Sequence, residues 1–283
     1  MSAFGFKGPD VARADALEPW LPDLRAAGFS WIELRAPDCP DPAWEARLRG
    51  WRERDGWSFA VHARFFGVNL SSPNPRVRQA AIEVAQEDLQ FAARIGARRV
   101  NLHAGDVNWY DVPPPDHPAH EWMTQELNKL RVQHLGAAAS SIKEISEVAR
   151  ELRIEIAVEN LYKPWELLRT PDEVREFFEQ LELSIGFTLD IGHALLAGWP
   201  PEAFLQALND RVRHVHLHWN DGAFDIHSFP DLSEPAIQGV MRAIAQWSPE
   251  TVLVIEITPG SWNGAIGQFL EWPVQAKKLL GGQ

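Results

Sequence analysis

Val212-Arg-His-Val-His-Leu-His-Trp219 runs directly into Asn220-Asp-Gly-Ala-Phe-Asp-Ile-His227. His214, His216 and His218 alternate with Arg213, Val215 and Leu217. A strand here therefore carries three imidazoles on one face and a mainly aliphatic set on the other. Such a strand is odd for an ordinary core, but it suits a barrel whose interior holds a metal site at one end. Asp225 and His227, two residues apart just beyond it, are a further pair of potential ligands.

Outward from this stretch, strand and helix patterns alternate along the whole chain. Short strands are expected at Ala3 to Lys7, Ser30 to Arg35, Ser58 to His62 and Arg98 to His103. Others are expected at Ile154 to Glu159, Ile185 to Asp190, the histidine stretch itself, and Thr251 to Glu256. Amphipathic helical sequence separates them, including Pro75 to Ile95 and a segment ending at Leu152 that has a potential break at Gly136. Thr170-Pro-Asp-Glu reads as a helix start, with a cap, a first-position proline and early acidic residues. Eight strand–helix units of about 35 residues each match a single (β/α)8 barrel over residues 1–283. An open doubly wound sheet is the alternative, but no glycine-rich phosphate-binding turn follows the first strand. A long loop at about 104–118, stiffened by Pro113-Pro-Pro115, has the length of a functional loop. It is expected over the C-terminal rim.

Near the C-terminal ends of successive strands sit His62, His103, Glu159, Asp190, His216 and Glu256. Their neighbours Val61, Leu102, Val158, Leu189, Leu217 and Ile255 would face the helices, so all six polar residues would face inward at one rim. His193, Asp225 and His227 follow in the loops above. Any one histidine in a strand more often makes a structural hydrogen bond than ligates a metal. So many buried carboxylates and imidazoles together, however, carry a large desolvation cost without a cation. His214 and His218 read as structural, one deeper in the barrel and the other beyond the strand end. Glu33 and Arg35 read as a rim ion pair or as substrate contacts. Arg35, Trp109, Lys163 and Trp262 are candidate substrate-binding residues.

The net charge of −12 works against non-specific attraction to nucleic acid. The single cysteine, Cys39, excludes an intrachain disulfide and a cysteine-based zinc motif. The opening Met-Ser-Ala-Phe-Gly-Phe-Lys lacks the apolar core of a signal peptide, and no run approaches a membrane span. The expected location is cytoplasmic.

The chain resembles the xylose-isomerase-like TIM-barrel superfamily over essentially its whole length. The carriers are Val61-His62-Ala-Arg-Phe-Phe-Gly-Val-Asn-Leu-Ser-Ser72, Leu102-His103-Ala-Gly105, Val158-Glu159-Asn160 and Thr188-Leu-Asp190-Ile-Gly-His193. His216, Asn220-Asp-Gly222, Asp225-Ile-His227 and Glu256 complete them. The sugar isomerase and epimerase branch implies one Mn²⁺, Mg²⁺ or Co²⁺ on Glu159, Asp190, His216 and Glu256. Glu159 and Glu256 then also exchange protons with a small sugar-like substrate. The endonuclease IV branch implies up to three Zn²⁺, with His62, His103, His193, Asp225 and His227 as additional ligands, and hydrolysis of a phosphodiester in abasic DNA. Four carboxylates against three zinc ions would leave that site near about +2, which suits a phosphate. Departures from the endonuclease pattern are present. Ser228-Phe-Pro-Asp231 replaces the glycine-rich segment, and Leu189 to Ala194 lacks a cysteine motif. Nor is a lysine-bearing loop evident in Gly222 to Phe224. The chain is therefore expected to be a metal-dependent sugar isomerase or epimerase, with the zinc endonuclease as the alternative.

Overall fold

The computed structural model describes residues 2–8, 14–109, 111–181, 184–208, 210–247, 251–257 and 262–281. Eight parallel strands close into a barrel in sequence order. They are β1 (Ala3–Lys7), β2 (Phe29–Arg35), β3 (Ser58–His62), β4 (Arg99–His103), β5 (Glu155–Glu159), β6 (Gly186–Asp190), β7 (Val212–Leu217) and β8 (Val252–Ile255). After β1 come α1 (Ala14–Leu17), a 3-10 turn and α2 (Leu21–Ala27); α3 (Pro42–Asp55) follows β2 and α4 (Pro75–Ile95) follows β3. Next are α5 (His120–Leu152) after β4 and α6 (Pro171–Leu181) after β5. Then α7 (Ile191–Leu196) and α8 (Pro201–Leu208) follow β6, and α9 (Pro235–Trp247) and α10 (Trp262–Leu279) follow β7 and β8.

The expected strand alternation holds. Val61, Leu102, Val158, Leu189, Leu217 and Ile255 are buried in the layer between barrel and helices. Inside the barrel, Trp31, Ala60, Val252 and Val254 form a small apolar cluster. Beside it, below the rim, Glu33, Asn101, Thr188 and His214 are buried polar residues. Cross-strand register sets His103 beside Glu159 and Asp190 beside His216.

Two local expectations differ from the structure. α5 runs unbroken through Gly136, where a glycine costs only about 1 kcal/mol and long flanks propagate the helix. Conversely, α7 begins immediately after β6, where no separate helix was expected. Asp190 caps it, its Oδ1 accepting the His193 N–H at 2.7 Å.

Arg64 leads the chain away from His62 and is tied to α4. The Asp88 carboxylate, buried on α4, accepts from the Arg64 backbone N–H and from Nε, both at 2.7 Å. Asp88→Ala removes the buried acceptor of the Arg64 N–H and Nε, while Glu87 at 2.8 Å and the Val84 carbonyl at 3.2 Å still hold the guanidinium, and is expected to cost about 1–3 kcal/mol. Urea denaturation would read this as a lower midpoint at unchanged slope; an unchanged midpoint would assign the pair no stabilising role.

Candidate metal centre

Strand ends and two loops bring nine sequence-identified residues to the C-terminal rim. Among the described residues, five sets of side chains have ligand atoms within 4.8 Å of one another: His62, His103 and Glu159; Glu159, Asp190 and His216; Asp190, His218 and Glu256; His193, His218, Asp225 and His227; and, one layer down, Glu33, His214 and His216. Glu159 is the hub. Its Oε2 lies 3.4 Å from His62 Nε2 and 3.6 Å from His103 Nε2. Its Oε1 lies 3.2 Å from His193 Nδ1 and 3.4 Å from His216 Nδ1.

The loop after β7 is shaped by its own hydrogen bonds. Trp219 and Ser228 exchange backbone bonds at 2.9 Å, closing the excursion that carries Asp225 and His227. Within it, Asp221 Oδ1 accepts from the Ala223 and Phe224 N–H groups, and Asn220 Oδ1 from Ile226 N–H. His227 sits at φ +47°, a left-handed conformation that costs a non-glycine residue about 1–2 kcal/mol. That strain turns its ring onto Asp225, with Nε2 3.0 Å from Oδ2. Gly192 is required where α7 passes His218, because a Cβ there would lie 2.0 Å from the imidazole.

Ring orientations bear on whether a cation fits. His62, His193 and His227 each direct Nδ1 at a backbone carbonyl, those of Ala63 (2.9 Å), Asn160 (3.0 Å) and Glu256 (3.2 Å). A carbonyl only accepts, so each Nδ1 carries the proton. In the neutral ring, the Nε2 lone pair then faces a carboxylate oxygen. His216 Nδ1 likewise lies 2.9 Å from Glu256 Oε2 and 3.6 Å from Asp190 Oδ2. His103 Nε2, Glu159 Oε2, His216 Nδ1, Asp225 Oδ1 and Glu256 Oε2 are buried without a hydrogen-bond partner. Lone pairs facing each other at these distances require protons or a metal between them, and separations near about 3.4 Å are those of ligands sharing one tetrahedral ion. The donor set of imidazoles and carboxylates fits a divalent transition metal.

The electrostatics agree. Burial alone would push the Glu159 carboxyl up, but His216, His103 and His193 hold it well below the ordinary carboxylate range. Burial would likewise raise Glu256, which His216 and Lys7 hold well below. Burial pulls the His193 and His216 imidazoles down, and the surrounding carboxylates more than reverse this, so both lie well above their ordinary value. His227 is raised in the same way.

Above the cluster opens a cavity of 510 Å³. Lys7, Phe65, Tyr162, Lys163 and Trp165 contribute to its walls. Phe65 stacks on His103 at 4.5 Å between ring centroids, and Tyr162 on His193 at 5.1 Å. Of the substrate-binding candidates, Lys163 lines this cavity. Arg35 does not: its guanidinium lies over the exposed Phe66 ring, 3.9 Å from Asp38. Trp109 turns its indole N–H to the Asp111 carbonyl at 2.8 Å and packs on the core. The side chain of Trp262 lies outside the described residues.

Three residues enter the site that the sequence reading placed elsewhere or passed over. Lys7, at the end of β1, pairs with Glu256. The inward position at the end of the first strand was its only signal. His218, read as structural, is fully buried with Nε2 2.9 and 3.0 Å from the two Asp190 oxygens. The alternation of β7 simply continues one residue past the strand. Glu33, read as a rim pair with Arg35 or a substrate contact, lies one layer below the rim and faces His214, His216 and Asn101 instead.

The family model described as xylose isomerase-like TIM barrel matches residues 21–272. An uncharacterized protein of Methanocaldococcus jannaschii is 31% identical over 172 residues, covering 60% of this chain and 59% of that protein. A probable endonuclease 4 of Symbiobacterium thermophilum is 28% identical over 202 residues, covering 68% of this chain and 65% of that protein. The chain spans about three fifths of the length of the curated relatives it matches. A crystal structure of a D-tagatose 3-epimerase-like protein superposes with a TM-score of 0.76 at 22% identity, covering 99% of this chain and 98% of that one. At that identity the likeness establishes the fold.

Proposed function

Because the chain belongs to the xylose isomerase-like TIM barrel family, we propose that it is a divalent-metal-dependent isomerase or epimerase of a small sugar, ketose or polyol-type substrate. The observation that carries this reading is the meeting of Glu159 Oε1, Asp190 Oδ2, His216 Nδ1 and Glu256 Oε2 beneath the cavity. At 510 Å³ the cavity has the size of small-molecule sites. Bound there, a divalent ion supplies Lewis-acid polarisation of adjacent substrate oxygens, which acidifies the hydrogen on the carbon between them. One of Glu159 and Glu256 takes the proton from that carbon as an ionised base, and the other, which must carry a proton when substrate is bound, returns one from the opposite face. Phe65, Tyr162 and Trp165 exclude water from the cavity, and Lys163 at its wall contacts the substrate's polar groups.

A specific observation favours a second reading. His62 and His103 gather with Glu159, and Asp225 and His227 with His193, as a three-zinc phosphodiesterase like the endonuclease IV group would require. The net charge of −12 supports a small-molecule partner over nucleic acid. No helix among the described residues is long and apolar enough to cross a membrane.

Metal content of the protein purified without chelator or added metal, measured by plasma mass spectrometry, separates the two readings. About one manganese, magnesium or cobalt ion per chain, with deuterium incorporation from heavy water into a member of a ketose panel, is the expected result. About three zinc ions per chain with cleavage of an abasic duplex would replace it by the second reading.

A further inference from the structure

Three histidines of the centre are aimed by backbone carbonyls, which no substitution removes. His216 is aimed by a side chain. Its Nε2 lies 3.0 Å from Glu33 Oε1 and 3.2 Å from Oε2, while Nδ1 faces Glu159, Asp190 and Glu256. Glu33 is fully buried and cannot rotate away, because its own partners are fixed in turn. Thr188 Oγ1 donates to Asn101 Oδ1 at 2.9 Å, which turns the Asn101 amide so that Nδ2 donates to Glu33 Oε2. On the other side, Arg99 Nη1 lies 3.4 Å from His214 Nδ1. A guanidinium only donates, so Nδ1 accepts and the His214 proton sits on Nε2, 2.9 Å from Glu33 Oε2. Arg99 is itself held by Glu155 and by the Arg213 carbonyl.

We propose that Glu33 is the positioning residue of the centre: held by the Asn101 amide and faced by His214, it accepts a hydrogen bond from the Nε2–H of His216 and so would leave the Nδ1 lone pair free for a metal. The inference rests on the metal-centre reading above. It adds that the polar layer inside the barrel, anchored by Arg99 near the N-terminal mouth, sets the affinity of the ion at the opposite mouth. Carboxylates that hold a ligating imidazole this way also raise its basicity, and their loss weakens metal binding about 10–100-fold.

The test is competition of the full-length protein against a chromogenic chelator for Zn²⁺ and Co²⁺, comparing wild type with Glu33→Gln, His214→Gln and His214→Leu. Glu33→Gln keeps the shape of the side chain but removes its charge. It is expected to weaken one ion per chain about 10–100-fold and to shift the visible absorption bands of bound Co²⁺, with the far-ultraviolet circular dichroism unchanged. His214→Gln keeps an N–H donor towards Glu33 and is expected to bind as wild type does, whereas His214→Leu is expected to weaken binding in the same direction as Glu33→Gln. Because His214→Gln leaves Glu33 in place, it keeps the comparison readable if Glu33→Gln does not fold. Wild-type affinity and cobalt bands in Glu33→Gln would overturn the role of Glu33 while leaving the metal centre standing. Loss of one whole ion from Glu33→Gln and from both His214 variants, with the remaining affinity intact, would also overturn it by making Glu33 a ligand. Failure of wild type to bind either ion would overturn the metal-centre reading itself.

Discussion

Glu159→Gln is expected to abolish turnover while the barrel stays folded. No other carboxylate in the centre touches four imidazoles: His62 and His103 through one oxygen, His193 and His216 through the other. An amide of the same shape offers one neutral acceptor oxygen and an NH2 donor in place of two anionic oxygens, so it holds a cation weakly and cannot take up the substrate's proton. General acid–base chemistry alone contributes about 10²–10⁴-fold, and loosening the ion adds to this, so a fall in kcat of at least about 10³-fold is expected. Folding is spared because the outward neighbour Val158 keeps its place in the core and Gln conserves volume. Deuterium exchange at the substrate carbon, followed by NMR for the ketose identified by the panel, is the readout. Exchange that persisted in a folded Glu159→Gln protein would rule out the proton-transfer role of this carboxylate.

The fold was legible because period-2 alternation repeats at each strand and each strand ends in a turn or helix signal. The alternation also identifies which side chains share the barrel interior, so His62, Glu159, Asp190 and His216 could be placed at one rim before any geometry was known. Depth was less legible. Glu33 lies on the same inward face as Arg35, and sequence cannot say that the stagger of β2 leaves it facing His214 rather than the rim. Lys7 is illegible for a different reason: one lysine at a strand end carries no pattern, and only closure of the barrel between β1 and β8 brings it to Glu256. Likewise, the aim of His227 depends on a left-handed backbone that a histidine does not announce. Residues far along the chain from the strands, such as Trp109, were the least legible. Their direction is set by loop hydrogen bonds, here the indole's bond to Asp111.

Stripping the metal is expected to lower the melting temperature by about 10 °C at neutral pH, by an amount that grows as pH rises. A ligand present at a thousandfold its dissociation constant stabilises by about 4 kcal/mol, and a chain of this size shifts by about 2–4 °C per kcal/mol. The pH dependence follows from what occupies the space between the lone pairs. Without metal, protons do: the carboxylates outweigh burial and raise the His193, His216 and His227 imidazoles above their ordinary value. A raised imidazole stabilises the folded metal-free protein fully below the unfolded value of about 6.5, and this contribution is lost as pH climbs through the folded value. The metal-bound protein behaves oppositely, because each ligand must shed its proton before it can bind. The difference in melting temperature between metal-loaded and chelator-treated protein should therefore widen steadily from pH 5 to pH 8. Differential scanning calorimetry across that range would measure it. A gap that stayed constant or narrowed with rising pH would mean that the imidazoles do not exchange protons for metal, and that the cluster is held together by ion pairs alone.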